Sequence, residues 1–267
     1  MKSIRRAIKG VAHVHSSRSF DGSYDYSQLR TLFVGAGLHF ACMTEHIENL
    51  TQADIDAIRQ ECHHHSDQDF LFIPGIEMDC FTIYFLGLDS VSVDFKDNLS
   101  IYNSLRESSG LCVLSHPIKA NYSYPDWILR DCDAVEIMNG KHDGTFYFRP
   151  QSERLLGTIR RSRPEVVPIV GMDFHSPEQF SRVHMRLIRE GELTLEFVLG
   201  ELKAGRVTFR QGDRSLDQLS AVARGARRAR IHAMDLAHAI NRRLRHLGVS
   251  VPKPVRRAIA RVMEGSQ

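Results

Sequence analysis

Short apolar runs alternate with helix-like segments along residues 1–212, and this alternation restricts the fold more than any other feature of the chain. The strand candidates are Gly10–Val14, Phe40–Thr44, Leu71–Gly75, Thr82–Gly87, Leu111–Ser115, Ala134–Met138, Val167–Gly171 and His184–Ile188. Between them, Ser27–Gly37 ends on glycine, and Thr51–His64 opens with Thr51 and Asp54 spaced as a capping box. Leu99–Ser109 stops at Gly110, and Pro150–Ser162 stops before Pro164. Strands separated by helices imply βα units and a parallel sheet. Seven or eight units in a segment of this length fit a closed or distorted barrel better than an open doubly wound sheet. No glycine-rich dinucleotide fingerprint follows any strand.

The chemistry-bearing residues sit where these strands end. The first strand runs into His13-Val14-His15 and then Asp21; the second ends in Thr44-Glu45-His46; the third ends at Glu77. The fifth ends in His116-Pro117, the sixth carries Glu136 and ends near Asn139, and the seventh ends in Asp173-Phe174-His175. In a βα barrel the C-terminal strand ends converge on one face. His13, His15, Asp21, His46, Glu77, His116, Asp173 and His175 are therefore expected in one pocket. In extended chain, alternate residues point the same way, so His13 with His15 and Asp173 with His175 can both aim inward. Imidazoles mixed with carboxylates suit Zn²⁺, Mn²⁺ or Fe²⁺. Eight such groups exceed the needs of one ion and suit two or three, with Glu77 as a bridge.

The ordered set HVHSSRSFDG, MTEHIE, PGIEMD, the HP of LSHPIK, and GMDFHS resembles the polymerase and histidinol phosphatase (PHP) family over roughly residues 8–190. GELTLEFVLGELKAGRV resembles the helix that often closes that domain. The resemblance implies a distorted (β/α)7 barrel with a metal cluster at its C-terminal mouth. It implies a metal-dependent phosphoesterase, hydrolysing phosphate esters by a metal-bound hydroxide. Position by position, His13, His15, Glu77 and Asp173 match one metal site, Glu77 and His116 a second, and Asp21, His46 and His175 a third. Two positions depart from the family pattern. Glu45 stands where the family has aspartate, and Tyr84 stands where many members carry a histidine ligand. A phenol replaces a neutral imidazole poorly, which leaves the second position weak, empty, or completed by another residue such as His142. The metal count stays open at two or three.

A phosphate needs cations or backbone amides around it. Arg18, in the first loop, and Lys119, just past His116, are the expected phosphate contacts; Arg149 and Arg182 lie in other mouth-side loops. Asp173 or His175 is the expected donor of a proton to the leaving oxygen. Three functions follow: a phosphatase on a small phosphomonoester such as a nucleotide, a nuclease, or a binding module whose site Tyr84 has degraded.

Charge divides the chain. Net charge is +3 overall, but residues 206–267 carry +10 and residues 1–205 carry −7. Residues 213–267 are expected to form a basic helical extension of the barrel at 1–212. Gly225 interrupts its apolar spacing, and a second helix is expected from Pro254. Leu216, Leu219, Ile231, Met234 and Ile240 are expected to pack on the barrel or on a second subunit. Arg224, Arg227, Arg228, Arg230, Arg242, Arg243 and Arg245 would stay at the surface, where nucleic acid is the rival partner to the acidic body. The apolar stripe favours docking, because a free basic arm would not need one. Oligomeric state is left open. No apolar run approaches the ~20 residues of a membrane span, so no membrane partner is expected. The basic N-terminus lacks a signal peptide's apolar stretch, and the five cysteines include no C-x-x-C pair. Both point to a cytoplasmic protein with reduced thiols.

Overall fold

The computed structural model describes residues 6–143, 147–189 and 191–246; within the last helix the side chains at 238, 241, 242 and 244–246 are outside that description. The strands are β1 (Arg6–Val14), β2 (Phe40–Met43), β3 (Glu45–His46), β4 (Leu71–Ile73), β5 (Gly75–Met78), β6 (Ile83–Leu86), β7 (Leu111–Leu114), β8 (Ala134–Asn139), β9 (Val167–Phe174), β10 (Val183–Arg189), β11 (Thr208–Gln211) and β12 (Arg214–Ser215). The helices are α1 (Tyr26–Gly35), α2 (Gln52–His64), α3 (Asn98–Ser108), α4 (Asp126–Asp131), α5 (Pro150–Ile159), α6 (Leu195–Lys203) and α7 (Ala221–His246). All eight expected strands form. The capping box at Thr51 and Asp54 also forms, closing the N-terminus of α2.

The sheet is mixed rather than all parallel. Its path runs β12-β11-β10-β1-β9-β8-β7-β6-β5-β3 and is open, with β2 pairing β1 and β4. Parallel pairs join β1 to β2 and β9, β2 to β4, β3 to β5, β7 to β8, and β8 to β9. β6 runs antiparallel to both β5 and β7. Only residues 79–82 separate β5 from β6, too few for a crossover connection, so the chain turns back as a hairpin. β10, β11 and β12 add a further antiparallel ladder beside β1. The uniform βα alternation expected from the sequence is corrected at these two places. Two expected single strands are also split, at Thr44 and at Pro74, and a proline cannot donate to a ladder.

The interior is filled by two apolar clusters. The larger includes Ile8, Phe40, Ile73, Phe85, Leu114 and Ile169, and the smaller centres on Leu29, Phe33, Phe70 and Phe174 beneath α1. Parallel strands covered on both faces read as continuous apolar runs, which is why the sequence shows them so clearly.

The sheet continues through β12 into the expected extension, and Leu216 there is fully buried. α7 passes straight through Gly225 rather than breaking at it. Ile231 and Met234 are buried against the body, and Leu219 packs on the core. Ile240 corrects the expected stripe: it is half exposed, and Leu236 and Val222 on earlier turns are more exposed still. Arg224, Arg230 and Arg243 are exposed, while Arg227 and Arg228 are partly covered. The side chains of Arg242 and Arg245, and the helix expected from Pro254, lie outside what the structure describes. No helix among the described residues is long and apolar enough to cross a membrane.

Truncating a fully buried isoleucine costs about 2–5 kcal/mol, worth roughly 2–4 °C in melting temperature per kcal/mol for a chain of this size. Ile231→Ala should therefore lower the melting temperature by several degrees in thermal denaturation, and Ile240→Ala should leave it unchanged.

Candidate metal centre

The backbone at three of the strand ends leaves the extended conformation. His13, His116 and Asp173 all have positive φ, at 63°, 22° and 55°. Left-handed backbone is costly for these residues and persists only where its surroundings dictate it. Both parallel ladders of β1 shift register between its middle and Val14, and β8 and β9 shift between Glu136 and Met138. Such irregularities re-aim side chains. His13 and His15 thus converge, as do Asp173 and His175, but by local kinks rather than by simple alternation.

The resulting cluster is tight. His13 Nε2 lies 3.2 Å from Glu77 Oε2 and 3.7 Å from Asp173 Oδ1. His15 Nε2 lies 3.4 Å from Glu77 Oε2, and His116 Nε2 lies 2.9 Å from Glu77 Oε1. Asp21 joins His46 at 3.5 Å and His175 at 2.9 Å. The rings of His46 and His175 both stack on His15, with centroids 4.4 and 4.1 Å from it. All eight expected residues meet in one place.

Neighbouring groups fix how the imidazoles present themselves. His13 Nδ1 donates to Glu136 Oε1 at 2.9 Å, which leaves Nε2 facing Glu77. Ser19 Oγ donates to Glu45 Oε2 at 2.6 Å and accepts from His46 N, so the His15 Nδ1 beside it acts as a donor. His15 Nε2 is then the free lone pair turned into the cluster. A ring held at one nitrogen and bare at the other is how proteins prepare a histidine to bind a metal.

Electrostatics agree for the carboxylates, His15 and His142, whereas Glu77, Asp173 and Glu136 together outweigh burial and hold His13 well above its ordinary value. Burial opposes charge on Glu77, but His13, His116 and His15 outweigh it and hold the carboxyl well below its usual range. Burial likewise opposes charge on Asp173, and His13 and His15 still hold it low. Burial pushes His15 well below its ordinary value and His142 down to about 4. Ionised carboxylates and neutral imidazoles are the forms that coordinate ions. His15 Nε2, His46 Nδ1, His142 Nε2 and Asp173 Oδ2 are buried without a hydrogen-bond partner. Orphaned buried polar atoms are expensive, and atoms of these types aimed at common points fit divalent ions. Donor atoms of His15, Asp21, His46 and His175 lie within 4.8 Å of one another, as do those of His13, Glu77 and His116, and those of His13, His15 and Asp173.

The expected phosphate contacts fare differently. Arg18 does not join the cluster: its guanidinium donates to Glu61 on α2 at 3.0 Å, because the loop carries it outward over that helix. Lys119 stands at the rim, 3.7 Å from Asp79, whose other oxygen is 3.4 Å from His46 Nδ1. Arg149 is buried, bonded to Tyr122 and paired with Asp143 and Asp235, while Arg182 is exposed. Sequence reasoning missed Lys141, whose Nζ lies 3.2 Å from His175 Nε2 and 3.7 Å from Asp173 Oδ1. It also missed Asp79, and it gave no role to Glu136 or Glu45. The fact that Glu136 lies inside an apolar strand was the available signal for the first of these two.

No family model and no curated protein matches this sequence. Solved structures do. A two-domain protein from Bacteroides vulgatus containing a predicted PHP-like metal-dependent phosphoesterase superposes with a TM-score of 0.61 at 15% identity, over 79% of this chain and 66% of that one. This chain's fold is that of a PHP-like phosphoesterase. It spans just under two thirds of that protein's length. PsfC from Pseudomonas syringae superposes with a TM-score of 0.52 at 14% identity, over 84% of this chain and 98% of that one. The cluster stands on a frame of β1, β8 and β9.

That frame leaves no room for a side chain at position 171. A Cβ on Gly171 would sit 1.7 Å from Glu136 Oε1 and 3.1 Å from His13 Cβ. Gly171→Ala should displace Glu136, lower the melting temperature and weaken Mn²⁺ binding in titration calorimetry. Gly157→Ala on α5, which meets nothing within 4 Å, should reduce neither.

Proposed function

We propose that this protein is a hydrolase that uses two or three divalent ions, drawn from Mn²⁺, Zn²⁺ and Fe²⁺, to cleave phosphate esters. The observation that carries this reading is the convergence of four imidazoles and Asp173 on the buried Glu77. His13, His15, Glu77 and Asp173 would hold one ion, Asp21, His46 and His175 another, and His116 with Glu77 contributes to a further position. When bound, the ions supply Lewis acidity, polarising the phosphoryl group and making water nucleophilic near neutral pH.

The chain's own residues supply the rest. Lys141, in the loop after β8, takes the phosphate-binding role expected of Arg18, and Lys119 stands opposite it at the rim. His175, with Nδ1 beside the Asp173 carbonyl and Nε2 2.9 Å from Asp21, would serve as a ligand rather than as the proton donor to the leaving group. That proton falls to Lys141, whose ammonium is partly exposed beside His175. Phe20, exposed and stacked on His46, offers a wall for a ring or base of the substrate.

A small phosphomonoester such as a nucleotide is the substrate class we favour. The nuclease alternative draws support from the exposed Arg224 and Arg243 on α7. The same proposal takes the sheet as a distorted (β/α)7 barrel with residues 213–267 as a basic extension. Supporting it, β4 and β5 follow each other across Pro74, so the pairings lead from β1 through β2, β4 and β5 to β9 and back to β1. The five unpaired cysteines support a cytoplasmic location.

The test is hydrolysis of p-nitrophenyl phosphate, mononucleotides and labelled oligonucleotides, with and without Mn²⁺. Metal-dependent release of phosphate from monoesters is expected, abolished by chelation. Asp173→Asn and His15→Ala should each lose most of the activity while retaining a cooperative melt. Cleavage confined to oligonucleotides would favour the nuclease. No hydrolysis of any ester in metal-loaded protein would leave the degraded binding module.

A further inference from the structure

We infer that His142 supplies the imidazole that position 84 lacks, so that His116, His142 and Asp173 complete a metal position by a loop instead of a strand. The inference rests on the metal-centre reading above. Donor atoms of these three residues lie within 4.8 Å of one another. His142 Nε2 is 3.4 Å from Asp173 Oδ2, and both atoms are buried without a hydrogen-bond partner. His116 Nδ1 is buried and unpartnered as well. The His116 and His142 rings stand 5.0 Å apart at 78°, edge to face.

Tyr84 cannot serve the same purpose. It lies across the ladder from Glu77, is fully buried, and packs edge-on against His13 at 4.9 Å. A phenol keeps its proton near neutral pH and offers an ion far less than an imidazole lone pair. It fills the volume of a ligand without being one.

His142 is also held as a ligand would be. Asn139, fully buried at the end of β8, accepts from the backbone N–H of Lys141 at 3.1 Å and of His142 at 3.0 Å. Its Nδ2 donates to Glu136 Oε2 at 2.9 Å. That same carboxylate accepts from His13 Nδ1 and, at 2.6 Å, from the backbone N–H of His116. One buried carboxylate thus sets the placement of His13, His116 and, through Asn139, His142. A loop turn with no role in binding would not need its anchor shared with two strand-end histidines.

The test measures metal content and ligand field, independently of turnover. Full-length wild type, His142→Ala, His13→Ala and the double variant His142→Ala/Tyr84→His would be loaded with Co²⁺ or Mn²⁺. Bound metal would be counted by elemental analysis after desalting, and Co²⁺ sites followed by visible absorption and by titration. Wild type should bind at least two ions. His142→Ala should lose one ion, or bind it about 10-fold or more weakly, with a changed Co²⁺ spectrum and an unchanged melting temperature of the metal-free protein. Tyr84→His in that background should restore the lost ion. Identical stoichiometry, affinity and spectrum in His142→Ala, with a loss in His13→Ala, would overturn the role of His142 and leave the metal centre standing. A wild type that binds no divalent ion would overturn both.

Discussion

The structure turns on a carboxylate buried among imidazoles. Glu77 is almost wholly enclosed, yet nitrogens of His13, His15, His46 and His116 all approach it within 3.6 Å. An ionised carboxylate survives in the interior only when positive charge or strong donors surround it. The imidazoles must therefore be delivered to one point from β1, β3 and the end of β7. An undistorted strand cannot deliver them, because its side chains leave on fixed alternate faces. The left-handed backbone at His13, His116 and Asp173 bends the strand ends to the common point. Ladders on both sides of β1 and β9 hold those conformations in place.

A second pair of carboxylates makes the first one usable. Glu136 accepts from three groups in different parts of the chain: the His13 ring, the His116 backbone and the Asn139 side chain. Glu45 gathers Ser16, Ser19 and Tyr26, and so closes the first loop over His15. Burial raises the pKa of Glu45, while the hydrogen bonds from Ser16, Ser19 and Tyr26 favour its charged form. Glu45 Oε2 accepts from Ser19, whose hydroxyl also meets the His15 ring and the backbone N–H of His46.

Except for Asp21 in the first loop, the expected cluster residues were legible because they lie at or just beyond the ends of apolar runs, although the kinks that aim them were not. His142 could be named as a substitute for the same reason: Tyr84 stood visibly in a ligand's place. The direction of β6 is set by the shortness of residues 79–82, a signal present in the sequence that the expectation of uniform βα units passed over. Arg18 and Lys141 show the limit for long cations. Both sit in loops near the cluster, but the outcome depends on the nearest anion in space, Glu61 for the one and Asp173 for the other. Ile240 departs for a related reason: the apolar spacing of α7 runs on beyond Ile231 and Met234, and among the described residues Ile240 stays half exposed.

The charge division between body and extension finds its use in the same loop that carries Lys141 and His142. Asp143 donates no charge to solvent: it is fully buried, accepts from the backbone N–H of Asn139 at 3.0 Å and pairs with Arg149 at 3.3 Å. Arg149 reaches on to Asp235 of α7 at 2.6 Å, and Arg228 of α7 returns the contact to Glu153 on α5 at 2.6 Å. Basic residues on the helix and acidic residues on the body alone would give pairs of one polarity. The reciprocal Arg149–Asp235 pair fixes the helix by register, since sliding α7 along its axis would separate both pairs at once. Ile231 and Met234 supply the burial between them. The apolar stripe thus holds α7 against the body, the two ion pairs set where along it the helix stops, and the loop bearing Lys141 and His142 is anchored through Arg149 to that stop.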